Sequence, residues 1–467
     1  MALVHLKMLR GKLEESPDTS TLEIYAESVI GELYPPLLKG ALKFQARALG
    51  IGSEELHAAT GKQQYGRPPR YGEVFPTPHG VVAIEVNNPE PRYKAGPSGS
   101  PELAPSQPNL TVYGIGSQDI GNPVAEIGQL LAEKFDVDLL DFRYTSEKFN
   151  SLKADGRLSP SMPTDEEKRS ARLLSDDALR HAAIRIASSG GLLRQELPKH
   201  LGEAADRADE IEELLRNSPL VDVDLVVTCK SRSTQVARAP SREVLDEMGR
   251  QGLKCACGRS VLDERVEEAL TLTEHGRQML NGSYWMSILI VIELLDLGVL
   301  LENMLIEQVA GGDEMDFFAD VSGELVLMEL KDKEFNLGNA YSFGSKTGIF
   351  QPSKPMIVTS AYVGNDAKEH FKQAALARRS ASAFGDPVAG QEIEYVEGLS
   401  NLRRRLEQVV GEIYAQDAKQ VLNRVLPYAA ASGESLIEGI KGANFALVAE
   451  TPTAATSIEG GEEASLS

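Results

Sequence analysis

"GGDEMDFFADVSGELVLMELKDKEF", residues 311–335, places two acids and a lysine on what reads as a tight β-hairpin. Two runs of strand formers, "EMDFFADV" and "ELVLMELK", flank Ser322-Gly323, a dipeptide suited to a two-residue hairpin loop. A loop of that length sets Val321 opposite Glu324 and, counting outward, Asp316 opposite Glu329. Strand alternation puts Lys331 on the same face as Glu329. Directly opposed residues have Cβ atoms about 4.5–5.5 Å apart, a spacing at which two carboxylates repel and one tends to hold a proton.

A divalent cation removes that conflict. Mg2+ takes hard oxygen ligands, needs only one or two protein carboxylates, and leaves its other positions to water and phosphate. Mn2+ accepts the same donors. Asp316 and Glu329 are therefore candidate metal ligands. Lys331 is a candidate for orienting or deprotonating a water, or for offsetting charge on a phosphate. Together these groups form an apparatus for phosphodiester hydrolysis.

The arrangement resembles the PD-(D/E)XK nuclease superfamily, with Asp316 as the first acid and "ELK", Glu329 to Lys331, as the (D/E)-x-K element. Met315 stands where the family name has Pro. Upstream, "LIVIELLDLG" looks like the first core helix, with Glu293 where many members carry an additional acid, and "NMLIEQV" looks like the first strand. Downstream, "KPMIVTS" and the helical stretch from Asn365 are similar to the Mrr-like restriction endonuclease branch. The resemblance covers about residues 284–412. It implies a restriction-endonuclease-like αβββαβ core and a Mg2+- or Mn2+-dependent endonuclease with Asp316, Glu329, Lys331 and Glu293 as its catalytic set. DNA is the implied substrate, restriction or anti-phage defence beside a partner protein the implied setting, and a homodimer the implied assembly. Lys333, Lys346, Lys354, Lys368, Lys372, Arg378, Arg379 and the "RRR" of 403–405 supply positive charge suited to tracking phosphates.

The rest of the chain divides by composition into an α/β multidomain protein. Residues 1–155 read as an α/β domain, with "GVVAIEV" and "LTVYGIG" as strands, a Pro/Ser/Gly-rich mobile loop between them, and a helix starting after Asn122. Residues 166–218 are helical, and "SSGGLLRQELPKHL" has the turn-then-helix rhythm of a winged-helix unit, a plain helical bundle being the alternative. Residues 219–280 carry the cysteines, 284–412 the nuclease-like region, and 413–450 a helical extension. The small, polar, acidic 451–467 is expected to be disordered.

Cys229 ends the strand-like "VDVDLVVTCK", and Cys255 and Cys257 sit in "GLKCACGRS". A strand-end cysteine paired with a second knuckle followed by Gly is a Zn2+-binding pattern, because the turn points amides at thiolate sulfurs. Four ligands are needed and three cysteines are present, so the segment reads as a zinc-ribbon-like insert that is degenerate, with His275 a candidate to complete it, or as reduced core thiols.

The 467 residues carry a formal charge of -21, which argues against indiscriminate coating of nucleic acid but leaves room for a local basic groove. Three cysteines are too few for a disulfide framework and the first residues lack a signal-peptide core, so a cytoplasmic protein is expected. The apolar "YWMSILIVIELLDLGVLL" keeps Glu293 and Asp296, and is read as a buried core element and not a membrane span. Neither GxSxG nor GxxxxGK[ST] occurs, which disfavours a serine hydrolase or P-loop enzyme. Two alternatives to the DNase stand: an RNase on the same core, and a nuclease-like scaffold that binds DNA or protein without cutting.

Overall fold

The computed structural model describes residues 4–14, 19–34, 71–87, 93–95, 101–103, 108–154, 160–308, 315–381, 392–425 and 437. The expected tail 451–467, the helical extension past Val425 apart from Ile437, and most of the Pro/Ser/Gly-rich loop lie outside those residues. The chain is a mixed α/β protein that divides into two units: Met1–Arg143 with Gly411–Ser467, and Tyr144–Val410.

Unit 1 is built on an antiparallel sheet of β1 (His5–Lys12), β2 (Tyr71–Thr77), β3 (Gly80–Asn87), β4 (Asn109–Gly116) and β5 (Leu140–Asp141), in the order β2-β3-β4-β1-β5. The apolar alternation in "GVVAIEV" and "LTVYGIG" makes β3 and β4 the central strands, buried along nearly their whole length. Helix α1 (Gly121–Phe135) packs Val124, Ile127 and Leu131 into that core beside Phe75, Val82 and Val112. The helix begins before Asn122, running directly out of a 3-10 turn at Gln118–Ile120 with no side-chain cap.

Unit 2 opens with α2 (Glu147–Ala154), then α3 (Asp165–Leu174) and α4 (Asp177–Ser189). A Thr164/Glu167 capping box starts α3, Asp176 caps α4, and Gly190 in a left-handed conformation ends it. A short strand β6 (Leu192–Leu193), short helical turns and α5 (Ala208–Arg216) follow. Then come β7 (Val221–Thr228), β8 (Gln235–Ala239), α6 (Arg242–Arg250) and β9 (Arg265–Leu272). Their sheet runs β8-β7-β9-β6, so residues 166–218 and 219–280 share one sheet through β6. The segment between β7 and β9 is an excursion from two paired strands.

Helix α7 (Tyr284–Asp296) holds the apolar run, with Trp285 and Ile288 to Ile292 buried. The stretch Glu274–Asp296 has the length and composition to cross a bilayer, but Gly282, at φ 57°, kinks it, and most of α7 is covered by protein. After α7 come β10 (Met304–Gln308), β11 (Met315–Val321), β12 (Glu324–Lys331), α8 (Leu337–Phe350), β13 (Lys354–Thr359), α9 (Asn365–Ala381), β14 (Glu394–Glu397) and α10 (Leu402–Val425). The sheet order is β10-β11-β12-β13-β14, antiparallel through β12 and parallel beyond it. The parallel step from β12 to β13 needs a crossover, which α8 provides.

Candidate functional site

The β11–β12 hairpin closes through Ser322 and Gly323, both at positive φ (55° and 88°), the pair of left-handed residues that matches the twist of the strands. Pairing runs from Val321↔Glu324 to Met315↔Leu330 and places Asp316 across from Glu329. On the other side of β11, Glu307 of β10 faces Asp316, so three acids stand in one cross-strand row. The side chains of Asp316 and Glu307 lie outside the described residues; their places in the register are described.

Asp320 anchors the turn. Its Oδ1 accepts the Gly323 N–H at 2.8 Å and its Oδ2 accepts the Ser146 N–H at 2.5 Å. Burial pushes its carboxyl above the usual aspartate value, against the pull of those two N–H donors.

The face bearing Leu325, Leu327, Glu329 and Lys331 is covered by apolar side chains. Leu325, Leu327 and Ile357 pack with Phe149 and Leu152 of α2, Phe335, Phe343 of α8 and Phe371 of α9. Under that cover Glu329 is 0% exposed and Lys331 4%. Lys346 stands one helical turn beyond Phe343 on α8, which directs it toward the sheet. Its Nζ donates to Glu329 Oε2 at 2.8 Å. The lysine bonded to the carboxylate thus comes from the crossover helix, while Lys331 shares the face by strand alternation.

Glu293 stands elsewhere in the bonding pattern: its Oε2 pairs with Arg403 of α10 at 2.9 Å, and Arg403 also reaches Asp296 and Glu407. Much of the positive charge is likewise compensated. Lys368 binds both oxygens of Glu397 at 2.9 Å, and Lys372 lies 3.9 Å from Glu369. The side chains of Arg378 and Arg379 are outside the described residues.

A second constellation lies where β7 ends and β9 begins. Cys229 and Glu264 sit one step beyond the Thr228↔Arg265 pair, so the ladder itself sets them across from each other. Cys255 and Cys257 come from a small hairpin closed by the Lys254↔Ser260 bridge, with Gly258 at φ 90° in its turn. The sulfurs of Cys229, Cys255 and Cys257 and a carboxylate oxygen of Glu264 all lie within 4.8 Å of one another, a grouping that could hold a metal ion. Glu264 is buried; its Oε1 accepts from the Cys257 thiol at 2.8 Å and its Oε2 from the Lys230 N–H at 2.7 Å. The Glu264 contact, above all, pushes the Cys257 thiol up to about 11. At Cys229 burial acts upward, but the Ser231 and Arg232 N–H groups and the neighbouring thiols outweigh it and bring the thiol below its ordinary value.

His275 does not complete this group. Its Nε2 lies 2.9 Å from Ser170 Oγ, where it ties the helix Glu274–Leu280 to α3. Glu264 occupies the fourth place, and sequence reasoning missed it because only the β7–β9 register brings position 264 to position 229. No protein-family model, curated protein or solved structure matches this chain.

Proposed function

We propose that the chain is a Mg2+- or Mn2+-dependent nuclease that hydrolyses DNA phosphodiester bonds, with the PD-(D/E)XK arrangement built on α7, β10, β11, β12, α8 and β13. The observation that carries this reading is the facing of Asp316 and Glu329 across adjacent strands, with two lysines, Lys331 and Lys346, on the Glu329 side. Helix, three strands, helix, strand is the element order such a core needs. The donor set fits a hard cation: two carboxylate positions in register, one of which already holds a cationic group, the Lys346 ammonium. Asp316 and Glu329 would hold the ion, which supplies Lewis-acid charge beside a phosphate oxygen. Lys331 is the group that positions or deprotonates the attacking water, and Lys346 holds the Glu329 carboxylate in place through its 2.8 Å hydrogen bond. At the cysteines the ion that thiolates favour is Zn2+, in a folding role. The sheet order β7-β9-β6 with α4 and α5 supports a winged-helix reading of the region before α7, and restriction or anti-phage defence is the setting proposed with it.

Plasmid, linear duplex and labelled RNA are each incubated with the protein in Mg2+, Mn2+ and chelator. Metal-dependent cutting of DNA supports the reading, cutting of RNA alone replaces the substrate, and cutting of neither overturns the activity.

One observation favours a second reading, a nuclease-like scaffold that binds without cutting. Glu329 is wholly inaccessible and bonded to Lys346, a closed pair that gives a metal no route unless Lys346 moves.

A further inference from the structure

The excursion between β7 and β9 has a very small apolar core: Val227, Ala239, Leu245 and Val261, with a few half-buried neighbours. So small a core stabilises a segment of that size only weakly, and small modules with little buried apolar surface commonly add a staple. At its base, where both strands end, stand three thiols and a buried carboxylate.

We infer that Cys229, Cys255, Cys257 and Glu264 form a four-ligand structural Zn2+ site that fastens the excursion to the β7–β9 ladder. The ligands come as two pairs of different origin. Cys229 and Glu264 are set by strand register, Cys255 and Cys257 by a tight hairpin, so a single ion joins both chain ends of the segment to that hairpin. Tetrahedral Zn–S bonds of about 2.3 Å place ligand atoms about 3.8 Å apart, so separations near the 4.8 Å limit shorten by about 1 Å, while Cys257 and Glu264, hydrogen-bonded at 2.8 Å, move apart as the thiol proton leaves. The backbone is already turned for it: the Lys230 N–H donates to Glu264, and the knuckles are braced by Ser233 N–H to Cys229 O and Gly258 N–H to Cys255 O, both 2.8 Å. Thiolates exclude Mg2+ and select a borderline or soft ion, and four protein ligands leave no open position for catalysis. Glu264 is the ligand that turns an incomplete cysteine set into a complete one.

The site is independent of the nuclease reading, and its test does not use cleavage. Full-length protein purified without chelator is analysed for metal, then exchanged with Co2+ and examined for a sulfur-to-cobalt charge-transfer band. The inference expects one Zn2+ per chain, the charge-transfer band, and d–d absorption of a tetrahedral site. Cys255→Ser should lose the stoichiometric metal. Glu264→Ala should weaken Zn2+ in competition with a chromophoric chelator by about 100-fold or more, since loss of even an outer-shell partner costs 10- to 100-fold. Glu264→Cys should restore it, and His275→Ala should leave it unchanged. Zn2+ removal should open 229–264 to limited proteolysis. A wild-type protein that takes up neither Zn2+ nor Co2+, or one that loses metal with His275→Ala and keeps it with Glu264→Ala, overturns the inference.

Discussion

Lys346 Nζ lies 2.8 Å from Glu329 Oε2, and the Glu329 side chain has no exposure to solvent. Two charges enclosed in this way hold each other, and losing one is worse than losing both. Glu329→Ala should therefore lower unfolding free energy by about 3 kcal/mol or more, by analogy with other broken buried pairs. The double change Glu329→Leu with Lys346→Met should recover most of that loss. Urea denaturation of the two singles and the double, read as a mutant cycle, decides it; simple additivity would contradict the pairing.

The turn can be tested apart from the acids. Gly323→Val places a β-branched residue at φ 88°, and its Cβ would stand 3.1 Å from Tyr144 Cβ. The conformation alone costs about 1–2 kcal/mol. A fall of that size in unfolding free energy is expected from urea denaturation, with Gly323→Asn milder because Asn tolerates the left-handed region. Equal effects from the two would remove the turn type as the cause.

Asp320 carries a pH signature. Its carboxyl is raised in the folded protein by burial. A raised acid is most favourable when protonated, so its contribution is fully present below the unfolded value, about 3.9, and is lost as pH rises through the folded value. Stability of the wild type relative to Asp320→Asn should therefore be greater near pH 4 than at pH 7. The reverse order in paired denaturation curves would mean that the Ser146 and Gly323 N–H bonds dominate burial.

Trp285 is the one tryptophan of the chain, and its Nε1–H donates to Asp332 Oδ2 at 3.3 Å. Arg180 of α4, itself buried, binds Asp332 Oδ1 at 3.0 Å and lies over the indole. Arg180→Met leaves Asp332 without its cation, and a destabilisation of about 3 kcal/mol is expected. Trp285 emission should shift in the same variant while the native far-ultraviolet circular dichroism is kept. An unchanged emission spectrum would rule out coupling between α4 and this end of β12.

Local grammar made part of this legible. The Ser322-Gly323 loop and strict alternation fix the hairpin register, so the Asp316–Glu329 opposition could be counted from the sequence. The apolar run of α7 and the order of strands after it were readable for the same reason. What could not be read are contacts between distant segments. Lys346 appeared as one cation among many, and only the packing of Phe343 on the sheet turns it onto Glu329. Nothing local to the sequence around Glu264 marks it as a partner of the cysteines; only the β7–β9 register brings it to Cys229. The positive charge around 368–405 looked like a groove in the sequence, whereas Lys368 and Arg403 are engaged by Glu397 and Glu293.

Metal-dependent cleavage of plasmid DNA by wild type and Glu329→Gln, side by side, asks whether the Glu329 carboxylate holds the ion. The substitution keeps the shape of the side chain and removes the charge that a cation needs. The account predicts cutting by the wild type in Mg2+ or Mn2+, and loss of it by about 100-fold or more in a variant whose circular dichroism is native. Equal cutting by the two proteins would contradict it.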